Sequence, residues 1–308
     1  MTSELRFDGQ VAVVTGAGGG LGLQYALLLA SRGARVLVND IGGSVTGAGS
    51  NTDAAAKAVE EIRQHGGEAI ADTSSVTSSE GGQAIIDAAM QAWGRVDIVI
   101  NNAGIVRDAP FEDITADRLD PLIDVHLKGA FHVTRPAWKI MREQRYGRIL
   151  NTCSAAGLLG AERMSNYGSA KTGLVGLTRV LAAEGADHDI KVNAVAPIAY
   201  TRMLAHSVET ASRPDDPSAQ AVLDDLVTQY LQKLDPALVA PVAAFLTHRE
   251  CPVSGEIYTV APGTSPDSSS AERKVSTVPR CPSSRCVITL TRSATRQTIP
   301  CQLAPPTR

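Results

Sequence analysis

Apolar positions along the chain fall into two alternating rhythms. Short runs rich in Val, Ile and Ala occupy residues 11–15, 34–40, 68–72, 96–101, 148–152, 190–195 and 256–260. Between them lie longer stretches whose apolar residues recur three and four positions apart. Runs of the first kind describe strands buried on both faces, and their alternation with helical spacing describes βαβ units around a parallel sheet. The stretch that follows the first run contains Gln24-Tyr-Ala-Leu-Leu-Leu-Ala-Ser31 and ends near Gly33, a residue type suited to a helix C-cap. Residues 54–65 form a further helix that closes at Gly66-Gly67. Thr115 is placed as the N-cap of a long helix carrying Leu119, Leu122, Ile123, Leu127, Phe131, Trp138 and Met141, which stops by Gly147. Another begins near Ser165 and carries Ala170, Leu174, Val175, Leu177, Thr178 and Leu181. The pattern predicts the α/β class: a doubly wound parallel sheet in one domain, residues 1–263, with ligands received beyond the carboxyl ends of the strands.

Composition changes that picture only at the end of the chain. Residues 264–308 contain no Gly, are dominated by Ser, Thr, Pro and Arg, and hold seven basic against two acidic residues. Totals of 29 basic and 32 acidic residues leave 22 and 30 for the first 263, so the domain is acidic and the tail is expected to be disordered. With 44% hydrophobic and 20% charged residues, the chain as a whole can bury a core. A net charge of −3 gives no reason to expect nucleic acid or an anionic membrane as partner. No run reaches the ~18 apolar residues of a membrane span, and the start lacks an apolar targeting segment. The five cysteines are loosely spaced, which predicts free thiols rather than disulfides or a metal site. Cys153 reads as a buried thiol, Trp93 and Trp138 as packing groups, and His132 and His188 as ordinary imidazoles.

The first strand runs into Thr15-Gly-Ala-Gly-Gly-Gly20-Leu-Gly22, and a helix follows at once. Glycines let the backbone approach a pyrophosphate closely, and the helix N-terminus offers it free N–H groups. Strand, glycine loop and helix in this order are the context of a dinucleotide site, which makes the sheet Rossmann-like. Asp40 ends the second strand 18 positions after Gly22, where a carboxylate can bind the adenosine ribose and would repel a 2′-phosphate. No Lys or Arg lies in the glycine loop to neutralise such a phosphate, so NAD is favoured over NADP.

Tyr167 and Lys171 stand four apart, on one face of a helix. The cation is expected to favour the phenolate, lowering the Tyr167 pKa toward neutrality for general acid–base work. Ser154 follows a strand thirteen residues upstream, and Asn101-Asn-Ala-Gly104 follows another.

With these elements, and with Asn193-Ala-Val-Ala-Pro197, the chain resembles the short-chain dehydrogenase/reductase family over residues 5–263. The resemblance implies that Tyr167 is the acid/base, that Lys171 tunes it and holds the nicotinamide ribose, and that Ser154 binds the substrate oxygen. It implies cofactor contacts from Gly16, Gly20, Leu21, Gly22, Asp40, Ser74, Ser75, Asn102, Ala103, Gly104, Tyr167, Lys171 and Thr201. A narrower likeness rests on Arg6-Phe-Asp-Gly9, Val38-Asn-Asp-Ile-Gly-Gly43 with its glycine-rich insertion to Asn51, Val125-His-Leu-Lys-Gly129, Tyr146-Gly-Arg-Ile149 and Thr201-Arg-Met203. These are similar to the (3R)-hydroxyacyl-CoA dehydrogenase part of peroxisomal multifunctional enzyme type 2 and its bacterial relatives. That branch implies NAD and a small-molecule substrate, an acyl-CoA or a sterol.

Three positions depart from the usual family pattern. His126 stands where Asn is usual and is the candidate proton relay, Ser74 replaces an Asp that holds the adenine, and Ile198 replaces a Gly. Alternative activities are a hydroxysteroid dehydrogenase and a 3-oxoacyl-carrier-protein reductase, and the non-enzyme alternative is a silent NAD-binding partner or sensor. The family implies a homodimer or homotetramer built on the two long helices. Residues 205–222, rich in Ser, Pro and Asp, are expected to form a mobile substrate lid. The ending lacks Ser-Lys-Leu, which makes the cytoplasm the expected location.

Overall fold

Val11–Thr15 (β1) is buried along its whole length, and its side chains divide by parity between two cores. Val11 and Val13 face one core, Ala12 and Val14 the other, the period-2 behaviour of a strand covered on both faces. The computed structural model describes residues 4–210 and 234–262, together with 225, 229, 231, 276–277 and 286–290.

Helix Gly20–Ser31 (α1) leads to Arg35–Asn39 (β2), Asp53–Gln64 (α2) to Glu68–Asp72 (β3), and Ser79–Trp93 (α3) to Ile98–Asn101 (β4). Gly33, at φ +93°, supplies the left-handed turn after α1 that the sequence assigns to it. The Ser78 hydroxyl accepts from the Gly81 N–H and starts α3, and Gly94 ends it. Next come Ala116–Leu122 (α4), the π turn Ile123–Lys128 and Gly129–Gln144 (α5). Gly147–Thr152 (β5), Ala155–Leu159 (α6), Ser165–Gly185 (α7) and Ile190–Pro197 (β6) follow, then Arg202–Thr210 (α8), Ala240–Thr247 (α9) and Ile257–Pro262 (β7). The seven strands pair in parallel in the order β3-β2-β1-β4-β5-β6-β7. Tyr25, Leu29, Ile62, Val242 and Leu246 cover one face, and Ile85, Ile86, Val133 and Met141 the other. Each such side chain contributes about 1.5–3 kcal/mol by leaving water.

The predicted long helix is one run interrupted by a π turn, in which the Gly129 N–H reaches the Asp124 carbonyl. A 3.6-residue reading does not anticipate this wider turn, a feature that recurs at functional sites. Thr115 occupies the N-cap position, but its hydroxyl donates to Asp117 instead of capping the backbone.

Beyond β7 the sheet continues antiparallel through Cys286–Leu290 (β9) to Ser276–Thr277 (β8). These strands come from the stretch assigned to a disordered tail, where Val287-Ile-Thr289 is a β-branched run. The remainder of that stretch lies outside the described residues.

The amino ends of the strands are closed by groups that satisfy one another. Asp97 accepts from the Val11 N–H (2.8 Å) and pairs with Arg95 (2.7 Å). Arg148, on β5, is buried and donates to the carbonyls of Gly147, Asp189, His248 and Arg249. It also pairs with the Asp189 carboxylate (3.2 Å) and lies over the Tyr146 ring.

Candidate active site

At the opposite, carboxyl ends of the strands lies a cavity of about 670 Å³, within the size range of ligand pockets. The loops after β1 and β4 are joined at its floor. The Thr15 hydroxyl accepts from the N–H groups of Asn102 and Ala103 (both 3.1 Å). The Asn102 amide donates to the carbonyls of Thr15 and Gly16 (both 3.0 Å). Gly16 sits at φ +63° with the Ala103 backbone 2.7 Å from where a Cβ would be, so only glycine fits. Gly22 does not line the cavity. Its missing side chain lets α1 pack 2.3 Å from the Gly16 carbonyl, measured from a would-be Cβ. Gly19 caps α1 with no side chain and has open space around it, while Gly20 and Leu21 face the cavity. The helix therefore presents an uncapped N-terminus to the cavity, a cradle that fits a dinucleotide pyrophosphate.

Asp40 lines the same wall. One carboxylate oxygen accepts from Gly18 N–H (2.8 Å), the other from Gly42 N–H (2.7 Å). Ser74 and Ser75 line the cavity as expected, and Asp72, at the end of β3, accepts from Asn39 and from both polar groups of Ser74. Asp72 thus orders the turn without facing the cavity. Ala103, Gly104 and Thr201 also line it, and the Thr201 hydroxyl accepts the Leu204 N–H at the start of α8.

Ser154, Tyr167 and Lys171 converge on this cavity from two elements. Ser154 leaves the end of β5 and caps α6 through the Ala156 N–H (3.2 Å). Tyr167 and Lys171 are one turn apart on α7, with the ammonium 5.7 Å from the centre of the phenol ring. Lys171 is almost fully enclosed and donates to the Thr152 carbonyl (2.6 Å). Tyr167 is only half-buried by exposure because it opens onto the cavity, yet it lies deep in the fold. Desolvation pushes its hydroxyl up to about 12, while Ser154 pulls the other way. Burial likewise lowers Lys171 to about 8. The expected depression of the Tyr167 pKa is therefore absent from this cavity. Desolvation is the largest cause of the shift at both groups.

His126 sits in the π turn, behind Gly104, where a Cβ would come within 2.5 Å of the imidazole. Its Nε2 meets the Ile105 carbonyl (2.8 Å) and N–H (3.2 Å), and the shorter contact assigns the N–H to Nε2. Nδ1 is buried without a partner among the described residues. Burial, aided by the Lys171 charge, holds His126 well below its ordinary pKa, and its ring stands edge-on to Tyr167 at 5.2 Å.

Cys153 and Cys251 are buried free thiols, and burial pushes Cys153 up to about 11, which keeps it unreactive. Trp93 and Trp138 pack against the second core. The expected lid begins as helix α8, whose Ser207 hydroxyl donates to Asp108 (2.9 Å), and residues 211–222 lie outside the described residues. Two features escape sequence reasoning. Asn166 is buried, donates to the carbonyls of Arg107 (3.0 Å) and Arg118 (2.9 Å), and accepts from the Tyr167 N–H (2.8 Å). The insertion after β2 forms a wall of the cavity through Gly43, Ser44, Val45 and Gly47. Only the adjacency of Asn166 to Tyr167, and the glycine density of the insertion, hint at either.

Comparison with known proteins agrees with this geometry. The short chain dehydrogenase family model matches residues 10–212. Peroxisomal multifunctional enzyme type 2 of Mus musculus is 45% identical over 264 residues, 85% of this chain but 33% of the mouse protein. The chain thus spans about a third of that relative. A short-chain type dehydrogenase/reductase of Mycobacterium tuberculosis is 44% identical over 254 residues, 82% of each chain. Among solved structures, NAD⁺-bound xylitol dehydrogenase superposes with a TM-score of 0.72 at 31% identity, over 83% of this chain and 98% of its own. Among the described residues no helix is long and apolar enough to cross a membrane. By motif, fold and matched length, the chain is an oxidoreductase of the short-chain dehydrogenase/reductase family.

Proposed function

We propose that the protein is an NAD-dependent dehydrogenase that oxidises a secondary alcohol, a (3R)-3-hydroxyacyl-CoA, to the ketone. One observation carries this reading: Ser154, Tyr167 and Lys171 share a cavity with an uncapped helix N-terminus and the Asp40 carboxylate. The likeness to peroxisomal multifunctional enzyme type 2, and to the peroxisomal hydratase-dehydrogenase-epimerase of Saccharomyces cerevisiae at 44% identity over 85% of this chain and 27% of that protein, supports the substrate class.

The residues divide the work. The α1 N-terminus would hold the pyrophosphate, with the Asn102 loop bracing the glycine loop, and Asp40 would face the adenosine ribose, where a 2′-phosphate would meet like charge. NAD, when bound, supplies the hydride acceptor. Ser154 orients the alcohol oxygen and Tyr167 receives its proton. Lys171 uses one N–H on Thr152 and has two left for the nicotinamide ribose and the phenolate. Protonated, Lys171 sets a positive charge 5.7 Å from the ring centre, which favours the phenolate that accepts the alcohol proton. His126, with its unused Nδ1, is the relay candidate. Exposed Phe131 and Val180, at 51% and 56%, lie on α5 and α7 and support subunit pairing through these helices.

The test is NADH formation from (3R)-3-hydroxyacyl thioesters and from hydroxysteroids, with kcat/KM compared for NAD and NADP. Turnover of the thioesters with NAD is expected. A preference for NADP, or for steroids, would overturn the corresponding part of the proposal.

A further inference from the structure

The glycine-rich insertion at residues 42–51 lies across the cavity instead of projecting away from it. It starts where Asp40 accepts from Gly42 N–H, and it is closed on itself by Asn51 N–H to Ile41 O (2.9 Å) and Ser44 N–H to Ala48 O (2.9 Å). Its tip is fastened to the loop after β4. Val106 N–H donates to Val45 O (2.9 Å), and Arg107 Nε–H donates to Thr46 O (2.9 Å). Gly47, at φ +84°, lies so close to Ile105 that a Cβ would sit 3.0 Å from its side chain. In the sheet, β2 and β4 flank β1. The bridge from one to the other therefore spans the strand whose end carries the glycine loop.

The two sides of this bridge are unequally held. Residues 105–107 are fixed from below: the His126 Nε2–H donates to the Ile105 carbonyl, and Asn166 donates to the Arg107 carbonyl. Beyond Asp40, residues 42–48 hydrogen-bond among the described residues only within their own turn and at the tip.

We propose that the insertion is part of the cofactor site, a clasp over the dinucleotide whose tip bonds to Val106 and Arg107 open for each exchange. This rests on the dinucleotide reading above. The anchor stays with the catalytic residues and the insertion swings, so the clasp sets how long the cofactor stays and leaves the substrate end untouched.

The experiment is stopped-flow fluorescence of NADH release from the full chain and from a variant lacking residues 44–48, with Gly43 joined to Gly49. That join is short, since a Cβ on Gly43 would stand 3.4 Å from the Gly49 carbonyl. Release is expected to accelerate about tenfold or more, the equivalent of one to two net hydrogen bonds. A folded variant whose release rate stays within about twofold of the parent refutes the clasp. Should the variant not fold, amide exchange in the intact protein decides: NADH has to slow exchange at the Val106 N–H, and an unchanged rate refutes the proposal. An intact protein that binds neither NADH nor NADPH would remove the dinucleotide reading and the clasp with it.

Discussion

Strand β5 has a buried cation at each end, Arg148 from the strand itself and Lys171 reaching in from α7, and the two are built differently. At its amino end Arg148 meets four carbonyls, a carboxylate and an aromatic face. At its carboxyl end Lys171 meets the single carbonyl of Thr152. Guanidinium is a fixed fork that can be saturated and keeps its charge, whereas a desolvated ammonium with one acceptor gives up its proton readily. The first arrangement holds the fold. The second stores reactivity, and its neighbours share the character, since Tyr167 and His126 are also shifted by burial and the His126 Nδ1 is unpartnered.

The largest test of that contrast is Tyr167→Phe, which removes the proton acceptor and leaves the packing. It should lower kcat for NADH formation by about 10²–10⁴-fold with little change in Tm. Arg148→Met should do the reverse, destabilising by on the order of 3 kcal/mol in urea unfolding because several buried carbonyls lose their donor. The kcat of the molecules that remain folded should be unchanged. If Arg148→Met instead abolished turnover at full stability, the division between the two ends would fail.

Lys171→Met sharpens the comparison through pH. The folded chain releases the Lys171 proton near 8, while an unfolded lysine keeps it to ~10.4. In that window the unfolded state binds more protons, so stability rises with pH. The wild type should gain up to about 3 kcal/mol relative to Lys171→Met between pH 7 and 10. Tyr167 acts in the opposite sense above pH 10, because the folded chain then holds a proton that the unfolded one has lost. The smallest effect belongs to His126→Asn. Held neutral by burial, His126 should contribute no inflection near its ordinary pKa, so the two pH–rate profiles should share one shape between pH 5 and 8.

Most strands were legible because a run buried on both faces needs no partner to identify it, whereas β3, partly exposed at the sheet edge, was legible from its place in the strand–helix alternation. Residues 11–15 and 68–72 match β1 and β3, and the remaining ends differ by one or two positions. The glycine loop and the Ser154, Tyr167 and Lys171 set were legible because each follows a strand end or keeps helical spacing. What stayed hidden depends on contacts distant in sequence. The Val45–Val106 bond, the Asn166 brace and the enclosure of Lys171 all arise from neighbours that only the sheet order brings together. The sign of the Tyr167 shift failed for the same reason, since spacing reveals a nearby cation but not the depth at which it sits.

The π turn at Ile123–Lys128 acts as a phase adjuster. An i→i+5 turn holds one residue more than an α turn, so excising one residue there would close the ladder as plain α-helix and keep Phe131 and Trp138 in phase with α4. What would be lost is the widened turn that sets the imidazole behind Gly104. The slack in this helix is therefore a single residue, and it serves the placement of His126.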